Sequence, residues 1–578
     1  MSQSLNQFFL VTGRTLAQGV SMESEGKLSD RYSQAVAILE MNSIDISKLG
    51  IIDRAKVIGG GGSVVLPVKV NDNLSPGTVF APLGPWINFI MSSSTDGTGM
   101  PSLKSIKVHI EATNEDFTTL SALLNFLGAK GLDYFPLDKP VKVGEKKVFE
   151  NVPCPFCGDL CDHLKIEVDG DKIVRNIGGC AISIAKFLNY DRHRIMKSYI
   201  RDSGRLIEVD VDKAIDVAAD ILVKAKYPLF YGWSNTCNEA VELGVELAEI
   251  TRGVIDNTST ICHGPTIQGA QEVGSVRATF GTVIQLADLV IFWGSNPSHA
   301  HLNHFTRLII REGKYVKGRK NRRVVVIDVR KTPIVDASDL FIKIEPGRDL
   351  ELLTALQMVL KNLDIESPIV AGVSREKVLE LAELMTTANY GVIFAGVGVT
   401  MSGAKHRFLQ ELIKFLQELN EWTKFVMIPM RGHYNVTGSN ETILWLTGYP
   451  YAVDFSRGFP KMIPGVTTAV DLLSNGDVDA ALIIASDPAA HLPRKAVEHL
   501  SKIPVIVIDA KWSLTTLFAD VIIPAGYVGI ECEGTAYRMD GIPIKMKKIV
   551  DLSPNVLSDV EILRRLSNKV KEKMGWVS

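Results

Sequence analysis

Short runs of uninterrupted apolar residues, several closed by a polar or glycine-bearing turn, constrain this chain most. They are Leu229-Phe230-Tyr231, Leu289-Val290-Ile291-Phe292-Trp293, Val324-Val325-Val326-Ile327, Gly391–Ala395, Ala481-Leu482-Ile483-Ile484 and residues 503–508, with helical patterns between them. A strand that is apolar on both faces belongs inside a parallel sheet covered by helices, so an α/β fold with parallel, doubly wound sheets is expected over 201–578. Ligands of such sheets bind beyond the C-terminal ends of the strands. Trp293-Gly294-Ser295-Asn296-Pro297 closes one strand and Ala485-Ser486-Asp487-Pro488 closes another in related form, which suggests two halves facing two similar ligand moieties. Ala395-Gly396-Val397-Gly398 closes a third. Two further strands end in Asp328 and Asp509, where a ribose or a guanine edge is usually held. Each turn alone reads first as structural; together they form a nucleotide-binding pattern.

Residues 1–112 have a different texture. Phe8-Phe9-Leu10-Val11, Ala55-Lys56-Val57-Ile58, Ser63 through Val70 and Thr78-Val79-Phe80 are short strands separated by glycine and proline. A small barrel closes such strands without leaving edges. The run Gly59 to Gly62 lacks the lysine and serine or threonine of a phosphate loop and reads as a hairpin turn. Residues 113–147 form a connector with one amphipathic patch, Leu120 to Leu127, and a tail containing proline and lysine.

With 46% hydrophobic and 22% charged residues and a formal net charge of -2, the chain has ample core and no electrostatic case for nucleic acid as its main ligand. Residues 1–14 lack an export signal, and no stretch is apolar enough to span a membrane, so a cytoplasmic protein is expected. The basic run Lys314, Lys317, Arg319, Lys320, Arg322 and Arg323 reads as a solvated loop, with a docking patch for an acidic electron carrier as the other reading.

Four of the seven cysteines, Cys154, Cys157, Cys161 and Cys180, fall close together. A disulfide framework would spread them more evenly. Their spacing suits an iron-sulfur cluster or a structural zinc ion and does not separate the two. Cys237 and Cys532 read as buried structural thiols.

Over residues 150–578 the chain resembles the molybdopterin oxidoreductases, the superfamily of the formate dehydrogenases and dimethyl sulfoxide reductase. The resemblance is carried by the cysteine set, by Cys262-His263-Gly264-Pro265 and by Arg431-Gly432-His433-Tyr434-Asn435-Val436-Thr437-Gly438. Within that superfamily it is similar to the B-type catalytic subunits of the formylmethanofuran dehydrogenases. That likeness runs through Asn257-Thr258-Ser259-Thr260-Ile261 before Cys262, through Ser298-His299-Ala300-His301 after the Gly-Ser-Asn-Pro turn, and through Tyr449-Pro450-Tyr451-Ala452-Val453-Asp454-Phe455. Residues 1–112 are similar to the small D-type subunits of the same enzymes, through Thr12-Gly13-Arg14-Thr15, Gly84-Pro85-Trp86-Ile87-Asn88 and Thr95-Asp96-Gly97-Thr98-Gly99-Met100-Pro101.

The resemblance implies a double-psi β-barrel over 1–112, a linker over 113–147, a 4Fe-4S domain over 148–200 on Cys154, Cys157, Cys161 and Cys180, and molybdopterin oxidoreductase domains over 201–578. It implies a bis-molybdopterin guanine dinucleotide carrying tungsten or molybdenum, with Cys262 as the protein ligand. His263 would exchange a proton. Arg431 would orient formate or stabilise charge developing on carbon dioxide, or else bind pyrophosphate. Thr12, Gly13, Arg14, Gly84, Trp86, Asn88, Gly294, Ser295, Asn296, His301, Asp328, Arg330, Gly347, Asp349, Gly396, Gly398, Ser486, Asp487 and Asp509 would contact the dinucleotides. Many formate dehydrogenases place a lysine two residues after the fourth cluster cysteine, where this chain has Ile182; Lys186 is the nearest substitute and no role is assigned to it. The implied reaction interconverts carbon dioxide and formate. Formylation of methanofuran falls to an amidohydrolase-like partner of A type, beside a C-type partner and ferredoxin or polyferredoxin carriers. A stand-alone formate dehydrogenase and a redox-inactive scaffold of a formyltransferase/hydrolase complex are the competing readings.

Overall fold

A computed structural model describes residues 6–576. Residues 1–5 and 577–578, the ends of the spans 1–112 and 201–578 and part of the segment 1–14, lie outside the described residues. No described helix is long and apolar enough to cross a membrane.

Six strands, Gln7–Gly13, Leu39–Met41, Arg54–Gly59, Gly62–Val70, Thr78–Pro82 and Ile106–Ala112, close into the expected barrel. Two of them, Leu39–Met41 and Ile106–Ala112, escape the sequence reading because one is very short and the other alternates apolar with charged residues. Gly59 pairs with Gly62 across the expected hairpin. A Cβ on Gly61 would lie 2.3 Å from the carbonyl oxygen of Met91, so only glycine lets this turn lie against the helix Pro85–Ile90.

The connector is strapped down rather than free. Its helix, Leu120–Phe126, is capped by the Thr119 side chain, and the Trp86 indole donates 2.6 Å to the Thr118 carbonyl just before it. The Arg494 guanidinium lies over the rings of Phe126 and Phe89, 4.2 and 5.1 Å from their centroids, and ties connector and barrel to the body. Farther along, Lys139 meets Glu531 at 2.7 Å, and Arg194 meets the other carboxylate oxygen at 2.9 Å, all three side chains being buried. Burial alone would raise the Glu531 carboxyl, but Arg194 and Lys139 outweigh it and hold it below the ordinary carboxylate range. Glu531→Ala leaves two buried cations uncompensated and is expected to destabilise the chain by about 3–5 kcal/mol, read as a lower thermal midpoint. Because the folded value lies below the unfolded one of about 4.3, this stabilisation is present above that pH and lost as pH falls through the folded value. The wild-type midpoint should therefore drop on acidification below about pH 4 more than the variant's does.

Two sheets form the body. In the first, five strands are parallel: Leu340–Lys343, Arg323–Asp328, Leu289–Trp293, Gly391–Ala395 and Phe425–Pro429, in that spatial order. The second has nine strands. Val521–Pro524, Val505–Asp509, Ala480–Ile484, Pro228–Gly232 and Val254–Asn257 run parallel at its centre, flanked by antiparallel strands. The fully buried runs Leu289–Trp293, Gly391–Ala395 and Ala480–Ile484 occupy central positions, as continuous apolarity requires. A small antiparallel sheet, Lys146–Val152, Leu164–Asp169 and Lys172–Ile177, carries the cysteine-rich loop, with the helix Ala181–Leu188 beside it.

The basic run 314–323 departs from expectation at Arg322. That side chain is 1% exposed, and its guanidinium donates to the carbonyls of Ala287, Leu308, Ile309 and Ile284. It ties the loop to the segments below instead of facing solvent, because unpaired carbonyls there need a multivalent donor.

Candidate active site

Two strands deliver Cys262 and Arg431, the expected catalytic pair, and neither strand stands out in the sequence. Val254–Asn257 passes into a 3-10 turn, Thr258–Ile261, and then to Cys262, after which the helix Gly264–Val273 begins. Asn257 shapes that turn: its carboxamide oxygen accepts from Ser259 N–H at 2.8 Å and its NH2 donates to Asn440. The Cys262 carbonyl accepts from Thr400 Oγ1 at 2.6 Å, which ties this turn to the short helix Val397–Thr400 that follows the strand Gly391–Ala395. Phe425–Pro429 leads into Met430 and Arg431. Beyond them Gly438 is required by close approach, since a Cβ would lie 2.0 Å from the Asn435 carboxamide oxygen. That same oxygen accepts from Tyr537 N–H at 2.8 Å.

Cys262 and Arg431 are thereby brought together. Burial raises the Cys262 thiol, while the Gly432 N–H and the Arg431 charge act the other way. Arg431 is 5% exposed, and two of its nitrogens, Nε and Nη1, have no partner. Burial, with the nearby Arg277, lowers it only to about 10, so it stays charged at neutral pH. Its backbone is fixed by His301, whose ring donates to the Arg431 carbonyl at 2.8 Å. A buried guanidinium with two free donors suits a small carboxylate or a developing oxyanion. At His263, burial and the Arg431 charge push the ring down to about 3; Nδ1 is paired with Thr266 Oγ1 at 2.9 Å, and Nε2 is buried without a partner.

The two related turns are built alike. Gly294 and Ala485 both have positive φ, at 57° and 44°, and Asn296 and Asp487 each precede a short helix that opens with proline. Gly294 packs on Gly396 and Gly398 so tightly that a Cβ on the first would lie 2.2 Å, and on the second 2.6 Å, from Gly294 atoms. The carboxylates of Asp328 and Asp509 each fold onto the next two backbone N–H groups, and burial raises both, Asp509 to about 6. Asn296 Oδ1 and Ser486 Oγ are buried without partners.

Cations gather at both turns. Arg330 lies 4.1 Å from the Phe80 ring of the barrel, near Gly13. Beside it Lys104, bonded to the Thr12 carbonyl, is lowered to about 7 by burial and by Arg330. At the other turn Lys27 pairs with Asp487 at 2.8 Å, and burial lowers Lys511 to about 8. Buried cations that burial strains in this way, beside unpartnered polar atoms, fit the phosphates of two dinucleotides. Lys27, Lys104 and Lys511 were missed because no local motif surrounds them; only the barrel's docking brings Lys27 and Lys104 to the sheet ends, and Lys511 is a lone lysine just beyond the strand Val505–Asp509.

Most of the other expected contact residues already have partners within the chain. Trp86 and Gly84 serve packing: Trp86 lines a groove of about 720 Å³ under the connector, and a Cβ on Gly84 would strike Val36. Asp349 accepts from the Trp293 indole at 2.9 Å. The Thr12 hydroxyl is taken by the Leu103 carbonyl at 2.7 Å, and the Arg14 guanidinium donates to the Leu83 carbonyl. Asn88 bonds the Ala490 carbonyl with its NH2 while its Oδ1 remains unpartnered. Gly347 is a turn glycine at φ 81°.

Cys154, Cys157, Cys161 and Cys180 converge around one loop. The Cys154 N–H donates to the Cys161 carbonyl at 2.8 Å. Ser183 links this pair to Cys180, its hydroxyl meeting Cys154 Sγ at 3.3 Å and its N–H donating to Cys180 Sγ at 3.5 Å. Among the described residues, no three His, Cys, Asp or Glu side chains gather closely enough to hold a single ion. The loop backs onto Arg431: Gly158 N–H donates to the Gly432 carbonyl at 3.2 Å, and a Cβ on Gly158 would meet the Arg431 carbonyl. Lys186 is engaged by Glu23 at 3.1 Å, while Ile182 packs on Gly19. Cys237 and Cys532 are buried thiols, as expected.

Residues 194–569 match the molybdopterin oxidoreductase family, and residues 8–107 match the molydopterin dinucleotide binding domain. The B-type subunit of tungsten-containing formylmethanofuran dehydrogenase 2 of Methanocaldococcus jannaschii is 45% identical over 435 residues, covering 74% of this chain and 100% of the relative. Protein FwdD of the same organism is 38% identical over 124 residues, 20% of this chain and 92% of the relative. A chain of the formyltransferase/hydrolase complex of Methylorubrum extorquens, solved with methylofuran, shares the fold at a TM-score of 0.52 and 21% identity, over 65% of this chain and 99% of that one. This chain belongs to the molybdopterin oxidoreductases, in the branch of the B-type subunits of formylmethanofuran dehydrogenase, and carries a molydopterin dinucleotide binding domain at its front.

Proposed function

We propose that this oxidoreductase is the redox-active subunit of a formylmethanofuran dehydrogenase, interconverting carbon dioxide and formate beside Cys262 and Arg431. The observation that carries this reading is the meeting of a buried thiol with a buried guanidinium that has two unused donors. Cys262 would hold the metal. Gly13, Lys104, Asp328 and Arg330 would hold one dinucleotide, and Lys27, Ser486, Asp487, Asp509 and Lys511 the other. Bound there, tungsten or molybdenum on two pterin dithiolenes supplies the two-electron chemistry. Arg431 binds and orients the carboxylate and stabilises charge that develops on its oxygens. His263, next to Cys262 in the chain and with its buried Nε2 unpartnered, would exchange a proton there.

We assign a 4Fe-4S cluster to the four cysteines, since four thiols that converge beside one loop match the ligation of such a cluster and the loop adjoins Arg431. Residues 1–112 fit a double-psi barrel, 148–200 a cluster domain after the linker 113–147, and 201–578 doubly wound domains. One cluster relays electrons without storing a pair, so ferredoxin-type carriers in the cytoplasm and an amidohydrolase-like partner that formylates methanofuran complete the reaction. The fold shared with a formyltransferase/hydrolase complex favours a scaffold as the second reading; the intact set of Cys262, Arg431 and four clustered thiols weighs against it.

Purified anaerobically with its partners, the complex is expected to form formate from carbon dioxide with reduced ferredoxin. A complex that hydrolyses or transfers formyl groups but never forms formate would leave only the scaffold. Lys104→Met, which removes a cation from the pyrophosphate end, is expected to lower the guanine nucleotide released by acid by several-fold without changing iron content.

A further inference from the structure

We propose that Arg307 and Asp159 set the reduction potential of the centre on the four cysteines, Arg307 raising it and Asp159 lowering it, which makes both positioning residues for electron transfer. The proposal rests on the 4Fe-4S reading. One strip of chain, residues 301–307, joins the two centres. It starts at His301, bonded to the Arg431 carbonyl, and two residues on Asn303 Nδ2 lies 3.8 Å from Cys161 Sγ and 3.0 Å from the Gly178 carbonyl. Next, His304 Nδ1 meets Asp159 Oδ1 at 2.7 Å, both side chains being fully buried, and Phe394 stands edge-on to the His304 ring at 4.4 Å. Asp159 lies between Cys157 and Cys161 and is locked there. Arg307 closes the strip, donating to the Asp159 carbonyl at 3.0 Å and to Asp162 Oδ1 at 2.8 Å, with only 16% of its side chain exposed. Residues Phe305–Ile310 form a π-helical turn, a rare geometry frequent at functional sites.

A cluster's potential follows its net charge, the hydrogen bonds to its sulfurs and its exposure. Reduction adds one negative charge. A neighbouring guanidinium favours the reduced form and a neighbouring carboxylate the oxidised form, with little screening in a buried setting. Removing Arg307 also uncovers Asp162, whose remaining cation, Arg538, is 3.7 Å away.

The test is an anaerobic redox titration of the cluster's paramagnetic signal in the full 578-residue chain, with iron counted per chain. Arg307→Gln is expected to lower the reduced-to-oxidised ratio at the wild-type midpoint by about tenfold, equal to about 59 mV for one electron. Arg307→Lys should restore most of the shift, and Asp159→Asn should move the midpoint the opposite way. Should Asp159→Asn not fold, the Gln and Lys variants of Arg307 carry the test. Iron-replete variants that keep the wild-type midpoint, or Arg307→Gln and Asp159→Asn shifting in the same direction, would overturn the proposal. A wild-type chain that binds zinc or no iron would overturn the cluster reading itself, and the two failures are told apart by the metal count.

Discussion

Carbon dioxide reduction is expected to fall to background in Cys262→Ala, a larger loss than the roughly 10–100-fold that removal of an outer partner of a metal ligand produces. The side chain is 7% exposed and its backbone is fixed at both ends, by the Ser259 carbonyl and by Thr400 Oγ1. Truncation therefore leaves the turn in place and removes only the thiol. Tungsten or molybdenum content should fall with activity, while iron content stays at the wild-type level, because Cys154, Cys157, Cys161 and Cys180 lie on other segments of the chain. Wild-type activity in Cys262→Ala would show that the thiol is a core residue and not a ligand.

The second large effect is expected at Arg431. Arg431→Met keeps much of the volume and the His301 bond to the backbone but removes the charge and the two unpartnered donors. Loss of a donor aimed at a developing oxyanion slows turnover by about 10²–10³, and that is the reduction expected in kcat/KM for formate. Released guanine nucleotide separates the two roles this arginine could play. Unchanged nucleotide with lost activity assigns Arg431 to the carboxylate. Lost nucleotide assigns it to a pyrophosphate and requires another group to bind the substrate.

The parts of this site legible in the sequence are those whose chemistry is local. Cys262-His263-Gly264-Pro265 announces a thiol at the start of a helix, and the turns at Gly294 and Ser486 announce themselves by glycine or serine and proline after an apolar run. The strands that deliver the reactive groups do not: Val254–Asn257 has two polar residues in four, and Phe425–Pro429 ends in proline. Each is a strand because the sheet supplies its partners. The buried cations are illegible for a related reason. Lys104 belongs to the barrel and Arg330 to the five-stranded sheet, and only the docking of one on the other makes them neighbours. Arg322 and Trp86 mislead in the opposite sense, since a basic loop and a tryptophan beside a glycine resemble binding features until long-range carbonyls take their donors.

The most direct measurement is the metal and nucleotide content of the native complex purified without oxygen. About one tungsten or molybdenum and two guanine dinucleotides per chain, with iron in excess of the partners' own share, is the result expected of a carbon dioxide/formate enzyme built as described. A chain that carries zinc and no pterin would contradict it.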